Sequence, residues 1–190
     1  DFRHARMGAR PRALGSAFVA LADDPNATYW NPAGLALNDR LALTLTRAWL
    51  YDVPDVRNDY ACFAAPAWRG VHLGASWVRL GATDLYSEDT INLAAAVEAP
   101  FCRGLALGAA GKLLRLDAPG YEAYNDPAYL GADTGFSFDL GLHYDGAGPW
   151  TLGAVLYNVN EPALQLLGTT ADPDPTTREW AAGGSYLFRD

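Results

Sequence analysis

Several things are scarce in this chain, and each scarcity closes off a class of protein. No uninterrupted apolar run reaches the roughly 18–20 residues that a membrane-crossing helix needs. Lysine occurs once, at Lys112, and the 14 Lys plus Arg are outnumbered by 22 Asp plus Glu, for a formal charge of −8. A nucleic-acid partner, which wants clustered cations, is therefore excluded. There are 2 cysteines, Cys62 and Cys102, with no CxxC spacing. Read as lying on separated strands at different depths, they predict free thiols rather than a bridge or a metal site. No metal and no cofactor is expected. The chain opens without Met and without a basic-then-apolar leader, so any signal peptide is read as already removed or trimmed.

What is present is alternation. The clearest case is Thr134 to Tyr144. Phe136, Phe138, Leu140, Leu142 and Tyr144 take one parity there; Gly135, Ser137, Asp139, Gly141 and His143 take the other. Successive side chains of a strand point to opposite faces, so the period is 2 and the segment has one apolar and one polar face. Its length suits a tilted strand crossing a bilayer. The same pattern recurs over Leu41–Leu50, Arg57–Ala67, Val71–Leu80, Thr90–Ala99, Leu105–Leu116, Trp150–Val159 and Glu179–Phe188, giving about eight strands over 41–190. Half the residues are apolar while mean hydropathy is near zero, as expected when each strand is apolar on one side only.

Connections after Ala67, Ala99 and Tyr144 read as short turns. Those after Leu50, Leu80, Leu116 and Val159 read as longer polar loops. Short turns at one end and long loops at the other are the habit of outer-membrane barrels. Trp68, Phe101, Tyr144, Trp150 and Phe188 then gather near the short-turn end. Trp49, Tyr60, Trp77 and Trp180 gather near the other, as two interfacial belts would. Sending Asp139, Ser137 and His143 into hydrocarbon is costly, so the apolar face points outward. The interior then holds Thr44, Thr46, His72, Ser76, Asn92, Glu98, Lys112, Ser137, Asp139 and His143.

Residues 1–40 are not strand-like. Ala17–Ala22 reads as a short helix ending at Asp23-Asp24-Pro25. Asn31 reads as an N-cap with Pro32 at the first helical position. The stretch GSAFVALADDPNATYWNPAGLA, sharpest at Asn31-Pro32-Ala33-Gly34-Leu35, resembles the N-terminal signature of the FadL-like outer-membrane barrels, including the PorV/PorQ branch. The resemblance is specific over Ala13 to Leu37 and architectural beyond it. It implies an all-β, antiparallel transmembrane β-barrel of 14 strands in the bacterial outer membrane, its lumen plugged by residues 1–40. About eight of those strands are present, so the barrel reads as incomplete at the C-terminus. It also implies a lateral opening at a kinked third strand, although Val71–Leu80 alternates without an inserted residue and only Gly74 eases a bend.

Three groups of residues carry candidate roles. Arg47, Arg79 and Arg115 share the outward register near the top of rising strands, where guanidinium can pair with phosphates of outer-leaflet lipid or lipopolysaccharide. His72, Glu98, Lys112, Asp139 and His143 form a polar lumen set able to hold a plug that brings Arg3, Arg6, Arg10 and Arg12. Ser137, Asp139 and His143 tempt a hydrolase reading. At about 3.3 Å per residue, however, Ser137 and His143 stand roughly 20 Å apart along one strand, out of reach for a nucleophile and its base. No catalytic residue is assigned. The Asp-rich pieces Tyr124-Asn125-Asp126-Pro127 and Asp172-Pro173-Asp174-Pro175 lack the density of a calcium loop and read as solvated loops.

The leading functional expectation is a channel for hydrophobic or amphipathic small molecules, gated by the plug. The alternative is a PorV-like component of a type IX secretion system that grips secreted proteins. A weaker one is a soluble all-β binding domain.

Overall fold

The computed structural model describes residues 7–50, 52–53, 55–122, 124, 127–146, 148–168 and 174–188. Arg3, Arg6, Asn125, Asp126, Asp172 and Pro173 lie outside them. Eight long strands form one antiparallel sheet: β1 (Ala42–Trp49), β2 (Val56–Trp68), β3 (Val71–Ala82), β4 (Tyr86–Glu98), β5 (Leu105–Asp117), β6 (Asp133–Asp145), β7 (Trp150–Tyr157) and β10 (Glu179–Tyr186). Each pairs with its neighbour in chain order, β1 and β10 being the edges. A two-residue pair, β8 (Ala163–Leu164) with β9 (Asp174–Pro175), decorates the connection from β7 to β10.

The sheet curls as half a barrel around the N-terminal segment. That segment carries α1 (Ala9–Ala13), α2 (Ala27–Trp30) and a 3₁₀ turn over Pro32–Leu37. The expected helix over Ala17–Ala22 is absent. Gly15 and Ser16 stand at φ 62 and 70, which interrupts the helical path, and tight bonds such as Leu21 N to Phe18 O at 2.8 Å replace it. The Asn31 expectation holds: its side chain accepts from Ala33 N at 3.2 Å, with Pro32 opening the turn.

Which parity faces where follows the cost argument. Phe136, Leu43, Leu93 and Leu140 are 65%, 65%, 67% and 51% exposed, whereas Asp139, Ser137 and His143 are 1%, 0% and 0%. The core lies on the concave side. Phe18, Ala22, Trp30, Ala33 and Leu35 of the N-terminal segment pack there against Ala64, Ala94, Ala96, Ala106 and Ala110 of the sheet. Each fully buried large apolar side chain contributes about 1.5–3 kcal/mol.

Four more expectations need correction. Tyr60 does not join an outer belt. It shares parity with Cys62 and faces inward, 3% exposed, against Tyr29. Cys102 sits in the turn after β4 rather than on a strand, although both thiols are free as expected. The β3–β4 connection, residues 83–85, is short, because the pairing continues to Ala82↔Tyr86. Finally, β3 is not kinked: it matches β4 residue for residue from Val71↔Val97 onward. The irregularity is in β2 between Ala65 and Trp68, where Pro66 lacks an N–H for the ladder.

Candidate functional site

The site is built where the N-terminal segment meets the concave face. Three inward positions on β5, β6 and β7 are glycines, and the segment occupies the room they leave. A Cβ on Gly108 would overlap Ala33 N and the Pro32 carbonyl carbon. One on Gly141 would overlap Asn31 Oδ1 and stand 3.0 Å from Pro32 Cδ, and one on Gly153 would overlap Val19 O. On β3, a Cβ on Gly74 would stand 2.5 Å from Thr28 Cγ2. The role of Gly74 is thus close approach of the plug, not a bend.

Polar groups fix the plug in register. Asn31 is fully buried and donates from Nδ2 to Val19 O at 2.9 Å and to Leu142 O at 3.0 Å, tying the motif to both its own segment and β6. Tyr157 donates its hydroxyl to Trp30 O at 2.5 Å, and Trp30 donates its indole N–H to Met7 O at 2.9 Å. Arg10 turns to Asp23 and Asp24 within the segment, with Asp24 Oδ2 at 2.8 Å. Asp23 pushes this guanidinium above its ordinary value, partial burial opposes that, and Asp24 adds to it. Arg12 is exposed. The arginines described therefore do not reach the polar set of the sheet.

That set does not converge on one point. His143 Nε2 lies 3.1 Å from Ala20 O and His72 Nδ1 lies 3.2 Å from Asn38 O, so each histidine holds a plug carbonyl at a separate place. Glu98 is exposed at the end of β4. Lys112 and Asp139 do come together, Nζ to Oδ1 at 2.7 Å, with side chains 10% and 2% exposed. Asn158, in the left-handed region at φ 52, completes the group. It accepts from Lys112 Nζ at 2.9 Å and gives its backbone N–H to Asp139 at 2.9 Å. Ser137 donates to the same Asn158 Oδ1 at 3.3 Å. Ser137 and Asp139 thus meet at Asn158, whereas His143 serves Ala20 O. Among the described residues no group of His, Cys, Asp and Glu has the makings of a metal site.

Inward residues also form a polar row across six strands. The register reads Thr44↔Cys62↔Ser76↔Asn92↔Lys112↔Ser137, and Asn92 donates to Ser76 Oγ at 2.8 Å. This row lies on the long-loop side of the glycine seats.

The outer face carries a second row. Arg47, Asp59, Arg79, Asp89 and Arg115 stand side by side on β1 to β5 in register. Arg47 reaches Asp59 at 2.5 Å, Arg79 approaches Asp89 at 3.9 Å, and Arg115 pairs with Asp117 at 3.0 Å. The three arginines share the outward face as expected, and each has an aspartate neighbour that the sequence reading left out. Alternating charges directly opposite one another across strands are mutually stabilising. Trp49, Trp68, Phe101, Trp150, Trp180 and Phe188 are more than half exposed.

The sequence reading missed Asn158 and the seating role of Gly108, Gly141 and Gly153. A parity count was the available signal for the glycines: all three fall on inward positions. Nothing local marks Asn158, which lies beyond the end of β7. Comparison with family models, with curated proteins and with solved structures finds no match.

Proposed function

We propose that this sheet is the plug-bearing part of a closed transmembrane β-barrel of the bacterial outer membrane, of FadL type with 14 strands, which passes hydrophobic or amphipathic small molecules. One observation carries the reading: the strands turn large apolar side chains outward and cover their charged and polar ones. Phe136, Leu43 and Leu93 face out, while Asp139, Ser137 and Lys112 are covered. A protein in water would bury the first set. At about 3.3 Å per residue and a barrel tilt of about 40°, the stretch from Leu105 to Arg115 is roughly 25 Å tall, the height of an outer-membrane barrel's apolar band.

Two further features support it. Among the described residues β1 and β10 each pair on one side only, and hydrocarbon does not tolerate open edges, so this reading requires both edges to be paired in the membrane. An eight-stranded barrel is also filled by its own side chains, whereas this concave face is filled by a separate segment seated on Ala and Gly. Outer-leaflet lipid, met by the row of Arg47, Arg79 and Arg115, is the environment this reading requires, and no covalent chemistry is assigned.

The test has two stages. Membrane-extracted protein should migrate differently on gels before and after boiling; unshifted migration would sink the barrel. Removal of residues 7–37 should then raise the leak of an amphipathic dye from vesicles. If leak is unchanged and a secreted protein is retained instead, the channel gives way to the secretion role.

A further inference from the structure

A polar cavity of about 210 Å³ opens on the outer face, just on the long-loop side of the charged row. Gly81 forms its floor. In register, Gly81 stands between Arg57 on β2 and Ser87 on β4, where the β4 backbone at Tyr86 O closes over it. Arg79 closes the side toward the apolar band. The turn at Thr83 and Asp84 and the start of α3 (Pro119–Glu122) close the other.

We infer that this cavity takes the phosphate of an outer-leaflet glycolipid headgroup, held between the guanidinium groups of Arg57 and Arg79 with Ser87 beside them. The inference rests on the membrane reading, which sets this level of the sheet at the lipid headgroups. Both guanidiniums have donors to spare. Arg57 engages Asp59 through Nε at 3.2 Å, which leaves its terminal nitrogens directed elsewhere, and Arg79 stands 3.9 Å from its nearest carboxylate partner, Asp89. A guanidinium has five N–H donors and binds phosphate bidentately. Arg47 is differently placed, because Nε and a terminal nitrogen both engage Asp59, at 2.5 and 3.2 Å. The cavity therefore places the lipid phosphate at Arg57 and Arg79 and not evenly along the row. Asp84 at the rim, which carries like charge, favours a headgroup that also brings sugar hydroxyls to it.

The experiment is native mass spectrometry of the full chain in detergent, titrated with lipid A and with dephosphorylated lipid A. Wild type should hold lipid A at least about tenfold more tightly than Arg57→Gln/Arg79→Gln, the loss expected for charge-assisted bonds. Dephosphorylated lipid should bind both alike, and Arg69→Gln, at the opposite end of the sheet, should match wild type. Equal binding of lipid A by wild type and the double variant overturns the site. Inorganic phosphate competing at the same concentration as lipid A overturns the lipid as its source. If the double variant fails the heat-shift test for folding, Arg57→Gln alone should still lose about threefold, and no loss overturns the site. A wild-type protein that shows no heat shift defeats the membrane reading itself; a shifted protein with unaltered lipid binding defeats only this inference.

Discussion

Gly141 on β6 lies directly beneath Asn31 of the N-terminal segment, so close that a Cβ there would overlap Asn31 Oδ1. The motif and its seat are more than a hundred residues apart in the chain, yet neither makes sense alone. Gly141→Ala should force the plug outward at a cost of about 1–3 kcal/mol. Trypsin cleavage at Arg12 should accelerate accordingly. Gly111→Ala, where nothing lies within 4 Å of the new methyl group, should leave cleavage unchanged.

Asn31 itself makes two donated bonds and one accepted bond while fully buried. Asn31→Ala strands the carbonyls of Val19 and Leu142, for an expected loss of about 2–4 kcal/mol in plug docking. Asn31→Asp keeps the acceptor toward Ala33 N but sets a carboxylate against two carbonyl oxygens, and should be worse than Ala. Protease protection of the N-terminal segment reads both, and an aspartate variant better protected than the alanine variant would count against the bonding described.

Lys112 and Asp139 form a nearly enclosed ion pair. Lys112→Ala leaves a buried carboxylate with Asn158 alone, and should cost about 3–5 kcal/mol. Lys112→Met combined with Asp139→Leu should cost less than the sum of the single changes, because no uncompensated charge remains. Urea midpoints of the folded, gel-shifted form measure all four variants. Additive losses would mean that the two side chains act independently.

Leu140, which pairs with Ala109 midway between Leu105 and Arg115, tests which medium surrounds the sheet. In a bilayer, Leu140→Arg should cost about 2–4 kcal/mol. On a water-facing surface the same change should stay within about 0.5 kcal/mol. Refolding yield into vesicles, compared with wild type across a urea series, separates the two outcomes.

Much of this was legible in the residues. The strand periods, the outward parity of Phe136 and Leu93, and the N-cap at Asn31 all rest on interactions within a few residues. Parity also put Tyr60 on the same face as Cys62, and the structure shows that face to be the inner one. Other features were not legible, for a common reason. Arg47 meets Asp59 and Lys112 meets Asp139 only because of strand register. The pairing of Lys112 with Asn158 depends on a chain reversal beyond β7.

By itself, then, the sequence determined which side of each strand is apolar, since alternation is a property of neighbours along the chain. Only the tertiary structure decided which carboxylate each cation meets, which glycines seat the plug, and that the polar set divides into a Lys112–Asp139 pair and two separate histidine contacts. Those are distances between distant segments, and they are fixed by the curl of the sheet and its residue-by-residue pairing.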